Sequence, residues 1–562
     1  MTILRHIFSP RVFLWFFPLL LILPNVWLDF TEAMPLMAKV CNVLLPFGFY
    51  LLVMGLWKNV GRTSLLLFPA LFYGAFQVVL LFLYGESIIA VDMFLNVVTT
   101  NVEEATELLA NLAPAVVTIC LLYLPTLIWG ICLCVKKNNL NTSQLRPARF
   151  LGSVIFAMGI VSLIICVLWV KPFNITRDIF PINVIRNTFI AAERTKASNK
   201  YHDTSAAFTY HAQSTRPVDE REVYVVVIGE TSRAENWQLF GYDRPTNPKL
   251  SQRNGLLKFP RNLSESNTTH KSVPLMLTSL SAVNFGDSIY STKSIITAFK
   301  EAGYRTAYLS NQGRNGSLID FFAEEADTTA FITDTPGRHY DHELLPLFED
   351  FLEHNNAGKL FVILHTYGSH FNYMDRYDED SAYFSPDKNS LAEASNRPIL
   401  LNAYDNTIRN TDSLLDSVIA HLEHENCRSG LMYVSDHGED IFDDSRERFL
   451  HASPKPTYYQ IHVPMILWAS DSLSSEHPEM LANARKNEKN DVSGSVNLFH
   501  TMINLAGIRS PYYVSRYALT DSSFAPVERI YLNDYNEGVS LKESGLKRLD
   551  FELLKQKEIS AN

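Results

Sequence analysis

The run Val223-Tyr224-Val225-Val226-Val227-Ile228 leads without a break into Gly229-Glu230-Thr231-Ser232-Arg233. Six apolar residues, most of them β-branched, with no polar interruption read as a strand covered on both faces, as in a parallel sheet. The polar pentapeptide then places Glu230 just past the strand's carboxyl end. In open α/β sheets, ligands sit outside those ends. One segment therefore predicts an α/β domain and the rim that carries its site.

Working outward, further strand runs fall at 306–310, 360–365, 431–435 and 463–468, with helical patterns at 294–302, 400–422 and 495–505 between them. Alternating strands and helices predict a largely parallel sheet. The strand ends are chemically biased. His365 is followed by Gly368-Ser369-His370, the next run ends in Ser435-Asp436-His437-Gly438-Glu439, and Leu450-His451-Ala452 comes soon after. Zinc accepts imidazole nitrogen and carboxylate oxygen, and a catalytic zinc keeps a position open for a reacting group. Glu230, Asp436 and His437 supply three such ligands. By contrast, Ser266-Asn267-Thr268-Thr269-His270-Lys271-Ser272-Val273-Pro274 reads on its own as an ordinary polar turn.

The first 170 residues are different in kind. Apolar blocks at about 12–30, 36–57, 64–84, 113–135 and 150–170 each approach the roughly 20 residues of helix that span a bilayer. The expected organisation is a five-helix membrane domain over 1–170, with an extracytoplasmic loop at about 85–111. A juxtamembrane helix and linker follow over 171–217, then a soluble domain over 218–562. A cleavable signal peptide fits poorly, because Leu28-Asp29-Phe30-Thr31 is a weak cleavage site and four more blocks follow. Arg5, Arg11, Lys58, Arg62, Lys136, Lys137, Arg146 and Arg149 flank alternate span ends, which places the N-terminus in the cytoplasm. Five spans then put the soluble domain outside the cytoplasm. In the acidic loop, Asn96, Thr100 and Glu104 are spaced by four, so a helix would carry them on one face. Such a face suits a polar headgroup; a solvated amphipathic connector has the same spacing.

Formal net charge of −10 argues against a nucleic-acid partner, which needs a basic footprint. Five of the six cysteines lie in apolar blocks and only Cys427 in the soluble part, which therefore forms no internal disulfide.

Taken together and in order, these segments resemble the membrane-bound phosphoethanolamine transferases of Gram-negative bacteria, within the alkaline phosphatase/sulfatase superfamily. The matching segments are Val226–Arg233, Gly241-Tyr-Asp-Arg-Pro-Thr-Asn-Pro248, Ser272-Val-Pro274, His365-Thr-Tyr-Gly-Ser-His370, Tyr404-Asp-Asn406, Ser435–Glu439 and His462-Val-Pro464. The resemblance implies a bacterial inner-membrane enzyme whose sulfatase-like domain is periplasmic. It implies one tightly bound zinc on Glu230, Thr269, Asp436 and His437, with a second metal possible in principle. Thr269, five residues before Pro274, matches the nucleophile. His370 and His451 match histidines at the donor phosphate or a second metal, and Asn311 matches a polar residue at the site. Asn96, Thr100 and Glu104 match a membrane-loop pattern tied to the lipid donor headgroup.

The implied reaction moves phosphoethanolamine from phosphatidylethanolamine to an envelope glycolipid, such as lipid A or lipopolysaccharide core, through a covalent threonine intermediate. Departures exist: Glu265 and Leu275 stand where many relatives carry cysteines, and His270 follows the threonine where a small residue is common. The Cys-x-Pro-x-Arg signature of sulfatases is absent. Two other readings stay open at this point, a phosphoglycerol transferase of the same architecture and a non-catalytic membrane sensor.

Overall fold

The computed structural model describes residues 9–99, 113–171, 173–217, 220–355, 358–388, 391–526 and 528–561. These fall into two compact units, one within Met1–Phe94 and Leu108–Glu193, the other within Leu95–Glu107 and Arg194–Asn562.

The first unit is built from α1 (Pro10–Thr31), α2 (Leu36–Leu56), α3 (Val60–Leu66), α4 (Phe68–Tyr84), the first turn of α5 (Val91–Thr99), α6 (Ala113–Val135) and α7 (Thr142–Trp169). Among the described residues, four single helices are long and apolar enough to cross a membrane. The expected third span at 64–84 is instead a pair, α3 and α4, bent by 61° at Leu67. Pro69 sits in the first turn of α4, where its missing N–H costs nothing, so a new helix starts there. Counting that pair as one gives the five expected spans.

In lipid there is little hydrophobic drive between helices, so close backbone approach must hold them together. Glycines provide it between α2 and α7. A Cβ on Gly48 would lie 2.3 Å from the Phe156 nitrogen, one on Gly152 2.8 Å from the Leu52 nitrogen, and one on Gly159 2.6 Å from the Leu45 Cα. A buried amide pair adds polar contacts: Asn25 donates to the Asn42 carbonyl at 2.8 Å, and Asn42 donates to Asp29 at 2.9 Å.

The second unit contains the end of α8 (Ile182–Ser198) and an α/β domain. The strands used below are β1 (Glu222–Gly229), β2 (Leu257–Lys258), β3 (Arg305–Ser310), β4 (Thr328–Phe331), β5 (Lys359–His365), β6 (Arg428–Ser435), β7 (Asp440–Ile441), β8 (Phe449–Leu450), β9 (Met465–Ala469), β10 (Ile530–Leu532) and β11 (Gly538–Ser540). The main helices used below are α9 (Thr269–Leu277), α10 (Arg397–His424), α11 (Gly494–Leu505) and α12 (Arg548–Gln556). Among the described residues the principal sheet has seven strands in the order β2-β9-β6-β1-β5-β3-β4. The five strands from β6 to β4 pair in parallel, while β9 and β2 run antiparallel at one edge.

Strand β1 is central and buried along its whole length. Tyr224, Val226 and Ile228 point into one core, and Val223, Val225 and Val227 into the other. That explains the unbroken apolar run: each residue has a hydrophobic layer to fill, at roughly 1.5–3 kcal/mol per buried large side chain. Parallel register then aligns the strand ends. Ile228 pairs with His365, Gly229 with Ser435, and Ser310 with His365. The residues that follow, Glu230, Thr366, Asp436 and Asn311, therefore emerge along one rim.

The glycine seam of the membrane unit makes a direct prediction. Gly159→Val should lower the thermal unfolding midpoint of the detergent-solubilised full chain, because its side chain meets backbone that cannot rotate away; overpacking of this kind costs about 1–3 kcal/mol. Leu168→Val, at a position 58% exposed on the same helix, should change little. Equal midpoints for both variants would show that the close approach does not stabilise the domain.

Candidate active site and metal centre

Each element of the rim is braced by a local feature. After β1 the chain turns through Thr231, whose φ is 58°, and the turn is held by Tyr404 of α10. The Tyr404 hydroxyl donates to the Thr231 carbonyl at 2.8 Å and accepts from the Arg233 N–H at 2.9 Å. Gly368, at φ +53°, passes so near Glu230 that a Cβ there would lie 2.5 Å from its carbonyl oxygen. Asp405, beside Tyr404, gathers Asn236 at 2.6 Å, Tyr242 at 3.0 Å and Arg244 at 2.6 Å. The segments Gly241–Pro248 and Tyr404–Asn406 thus brace the turn that carries Glu230.

Thr269 is the first residue of α9, where the helix dipole presents its positive end. Its hydroxyl lies 3.3 Å from each Glu230 carboxylate oxygen and 3.1 Å from His437 Nε2. Thr268 instead pairs its hydroxyl with Ser266 at 3.2 Å. The two adjacent threonines are therefore distinguished by what they face. His437 Nε2 is 3.4 Å from Glu230 Oε1 and 3.2 Å from Asp436 Oδ2. Its Nδ1 lies 3.0 Å from the Gly438 carbonyl, an acceptor, so Nδ1 carries the proton and Nε2 keeps its lone pair toward the cluster.

Glu230, His437 and His451 each offer a ligand atom within 4.8 Å of one another. His451, expected at the phosphate or a second metal, thus also reaches the primary cluster. Asp436 Oδ1 accepts from the N–H groups of Thr231 and His437, at 3.1 and 2.7 Å, while its buried Oδ2 has no hydrogen-bond partner among the described residues. A buried carboxylate oxygen left unsatisfied is costly, and a cation is the usual remedy. Two carboxylates, imidazole and a hydroxyl form a donor set that zinc accepts, and the residues fit it.

Burial sets the charge states. It raises the Asp436 carboxyl to about 6 against two opposing N–H bonds. It pushes His437 well below its usual range, with the nearby His451 acting in the same direction. It lowers His370 to about 3, again assisted by His451 and by Arg376. Neutral imidazoles at pH 7 are the form that binds metal.

His370 stacks on Tyr367 at 5.2 Å between ring centroids, and its ring lies 5.8 Å from that of His451. Asn311 sits at the end of β3, where its Nδ2 donates to Asp341 at 2.8 Å; it lines a small cavity of about 70 Å³ with Tyr367 and Arg376. Asn96 lies in α5, whereas Thr100 and Glu104 fall outside the described residues.

Two further residues, neither given a role from the sequence, belong to the site. Gln312 donates to Glu230 Oε2 at 3.2 Å and to the Thr366 carbonyl at 2.9 Å. Glu439 accepts from Tyr373 and lies 3.2 Å from His451 Nδ1, which orients that ring. A glutamine carries no charge to attract notice, but its position after β3 was a usable signal.

The sulfatase family profile matches residues 222–508. The chain belongs to the sulfatase family. It falls in the superfamily that holds phosphoethanolamine transferases, alkaline phosphatases and sulfatases. Phosphoethanolamine transferase EptA of Escherichia coli strain K12 is 27% identical over 398 residues, 68% of this chain and 72% of its own length. The periplasmic domain of Escherichia coli EptC, solved in complex with zinc, is 25% identical with a TM-score of 0.53, over 59% of this chain and 95% of that one. Integral-membrane EptA from Neisseria meningitidis shares the fold across both units, with a TM-score of 0.70 at 22% identity, over 90% of this chain and 98% of that one. Membrane helices followed by a sulfatase-family domain are thus a shared architecture.

Glu265 gives this sulfatase-family site a pH signature. It is buried four residues before Thr269, and burial raises its carboxyl to about 7 against the Ala282 N–H and Arg529. The folded chain therefore keeps a proton that the unfolded chain releases near 4.3. The stabilisation is complete below that value and is lost as pH rises through about 7. Glu265→Gln should make stability fall less steeply between pH 5 and 8, by about 1–3 kcal/mol over the range. Thermal midpoints of the full-length protein across pH check this; parallel profiles for variant and wild type would contradict it.

Proposed function

We propose that this protein is a zinc-dependent phosphoethanolamine transferase of the bacterial inner membrane, with its N-terminus cytoplasmic and its catalytic domain periplasmic. Its donor is phosphatidylethanolamine and its acceptor an envelope glycolipid such as lipid A or lipopolysaccharide core. The observation that carries this reading is the Thr269 hydroxyl at a helix N-terminus, 3.3 Å from Glu230 and 3.1 Å from His437. The likeness to phosphoethanolamine transferase EptA supports the identity of the transferred group. The zinc complex of EptC supports the metal.

Glu230, Asp436 and His437, with Thr269, would hold the zinc. When bound, zinc supplies positive charge that lowers the pKa of a nearby hydroxyl and neutralises phosphate charge. Thr269 Oγ1 attacks the donor phosphorus, its proton passing to a neighbouring base. The bond from phosphorus to the diacylglycerol oxygen breaks, and that oxygen takes up a proton. Phosphoethanolamine is left on Thr269. An acceptor oxygen then attacks the same phosphorus and frees the threonine, the two-step course of covalent catalysis. His370 and His451, at the mouth of the cluster, contact the phosphate and carry protons for the leaving and entering oxygens. The first turn of α9 adds its dipole to the stabilisation of phosphate charge. Asn96, Thr100 and Glu104 bind the donor headgroup, and Asn311 contributes a polar contact at the rim. Confining donor and acceptor to one surface raises their encounter rate, which accounts for the membrane unit.

The test is to incubate the full-length protein with phosphatidylethanolamine and no acceptor, then map tryptic peptides by mass spectrometry. Wild type should carry phosphoethanolamine on Thr269, and Thr269→Ala should carry none and transfer none while remaining folded. An active Thr269→Ala enzyme, or an adduct on Thr268, would refute the assignment.

A further inference from the structure

The family match ends at residue 508, yet the chain continues through β10, β11 and α12, which are ordered against the two loops that carry Thr269 and His451. On the threonine side, the Leu532 N–H donates to the Glu265 carbonyl at 2.7 Å. Lys271, 2% exposed, donates to the Asn533 carbonyl at 2.8 Å. On the histidine side, the buried Asp550 of α12 accepts both Arg446 Nη groups at 2.8 Å and the Tyr458 N–H at 2.9 Å.

Between the two loops stands Asn267, two residues before Thr269. Its backbone carbonyl accepts from the Ala452 N–H at 3.2 Å, next to His451. Its side-chain NH₂ donates to the Ser453 carbonyl at 2.9 Å and to Gln460 Oε1 at 2.7 Å. Its Oδ1 accepts from the Tyr531 hydroxyl of β10 at 2.7 Å. An asparagine amide can turn over and exchange its donor and acceptor ends. With the Tyr531 hydroxyl donating to Oδ1, the NH₂ group is turned toward Ser453 and Gln460. Both side chains are almost fully buried, so water does not replace a lost partner.

We propose that Tyr531, on a hairpin beyond the sulfatase match, is a positioning residue: by orienting the Asn267 amide it holds the Thr269 and His451 loops in reacting register. The inference rests on the reading of Thr269 as nucleophile. It assigns the C-terminal segment a share in rate rather than in substrate affinity, because a small misplacement of reacting groups costs turnover while leaving the binding surface in place.

The experiment compares full-length wild type, Tyr531→Phe, Asn267→Ala and the double variant in detergent, with p-nitrophenyl phosphoethanolamine as the probe. Tyr531→Phe should lose about tenfold or more in kcat with KM held within about twofold. The double variant should lose no more than Asn267→Ala alone, since Tyr531 acts through Asn267. Amide exchange in the segment 264–272 should quicken in Tyr531→Phe while the thermal midpoint stays near wild type. An unchanged kcat, a rise in KM alone, additive losses in the double variant, or unaltered exchange would each overturn the positioning role. A wild-type enzyme that releases no nitrophenol sinks the transfer reading and this role with it. An active wild type matched by Tyr531→Phe sinks this role alone.

Discussion

Two carboxylates, Glu230 and Asp436, are withdrawn from water around one imidazole, and one oxygen of Asp436 has no hydrogen-bond partner among the described residues. Isolated buried charge is expensive, and proteins keep it where a cation or a reacting group repays the desolvation. The architecture of the second unit gathers these ligands. Parallel register brings the ends of β1, β5 and β6 level, so the residues after them meet on one rim. Tyr404 and Asp405 fix the turn that carries Glu230, and α9 delivers Thr269 from a separate part of the chain.

The parts of this structure that could be read in the sequence are those with one dominant physical cause. Strand β1 was legible because both of its faces are buried, which leaves no room for polar residues. The strand-end placement of Glu230, Asp436 and His437 followed from the parallel pattern. Other parts have competing causes. Strand β4, Thr-Thr-Ala-Phe, is short and half exposed at a sheet edge, so it carries no strong pattern. The break at Leu67 hid inside a continuous apolar block, where hydropathy outweighs the single cue of Pro69. Gln312 acts through a contact with Glu230 that depends on the register of β3 against β5, which composition does not encode.

The Thr269 loop shows the limit most clearly. Locally it is a polar turn with two equivalent threonines, and no propensity separates them. Tertiary contacts do, because Thr268 bonds to Ser266 while Thr269 faces Glu230 and His437. The same loop is held through Asn267 to the His451 loop and through Lys271 to the C-terminal hairpin. A site assembled from six separate stretches of chain is therefore fixed by packing far from its own residues.

The central claim is that this buried ligand cluster holds a metal. It is tested most directly by elemental analysis of the purified full-length protein, side by side with the near-isosteric Asp436→Asn. The account predicts about one zinc per wild-type chain, as expected for a single four-ligand site, and loss of that zinc in a variant that remains folded. Wild-type protein that takes up no zinc, or an Asp436→Asn variant that retains it in full, would contradict the account.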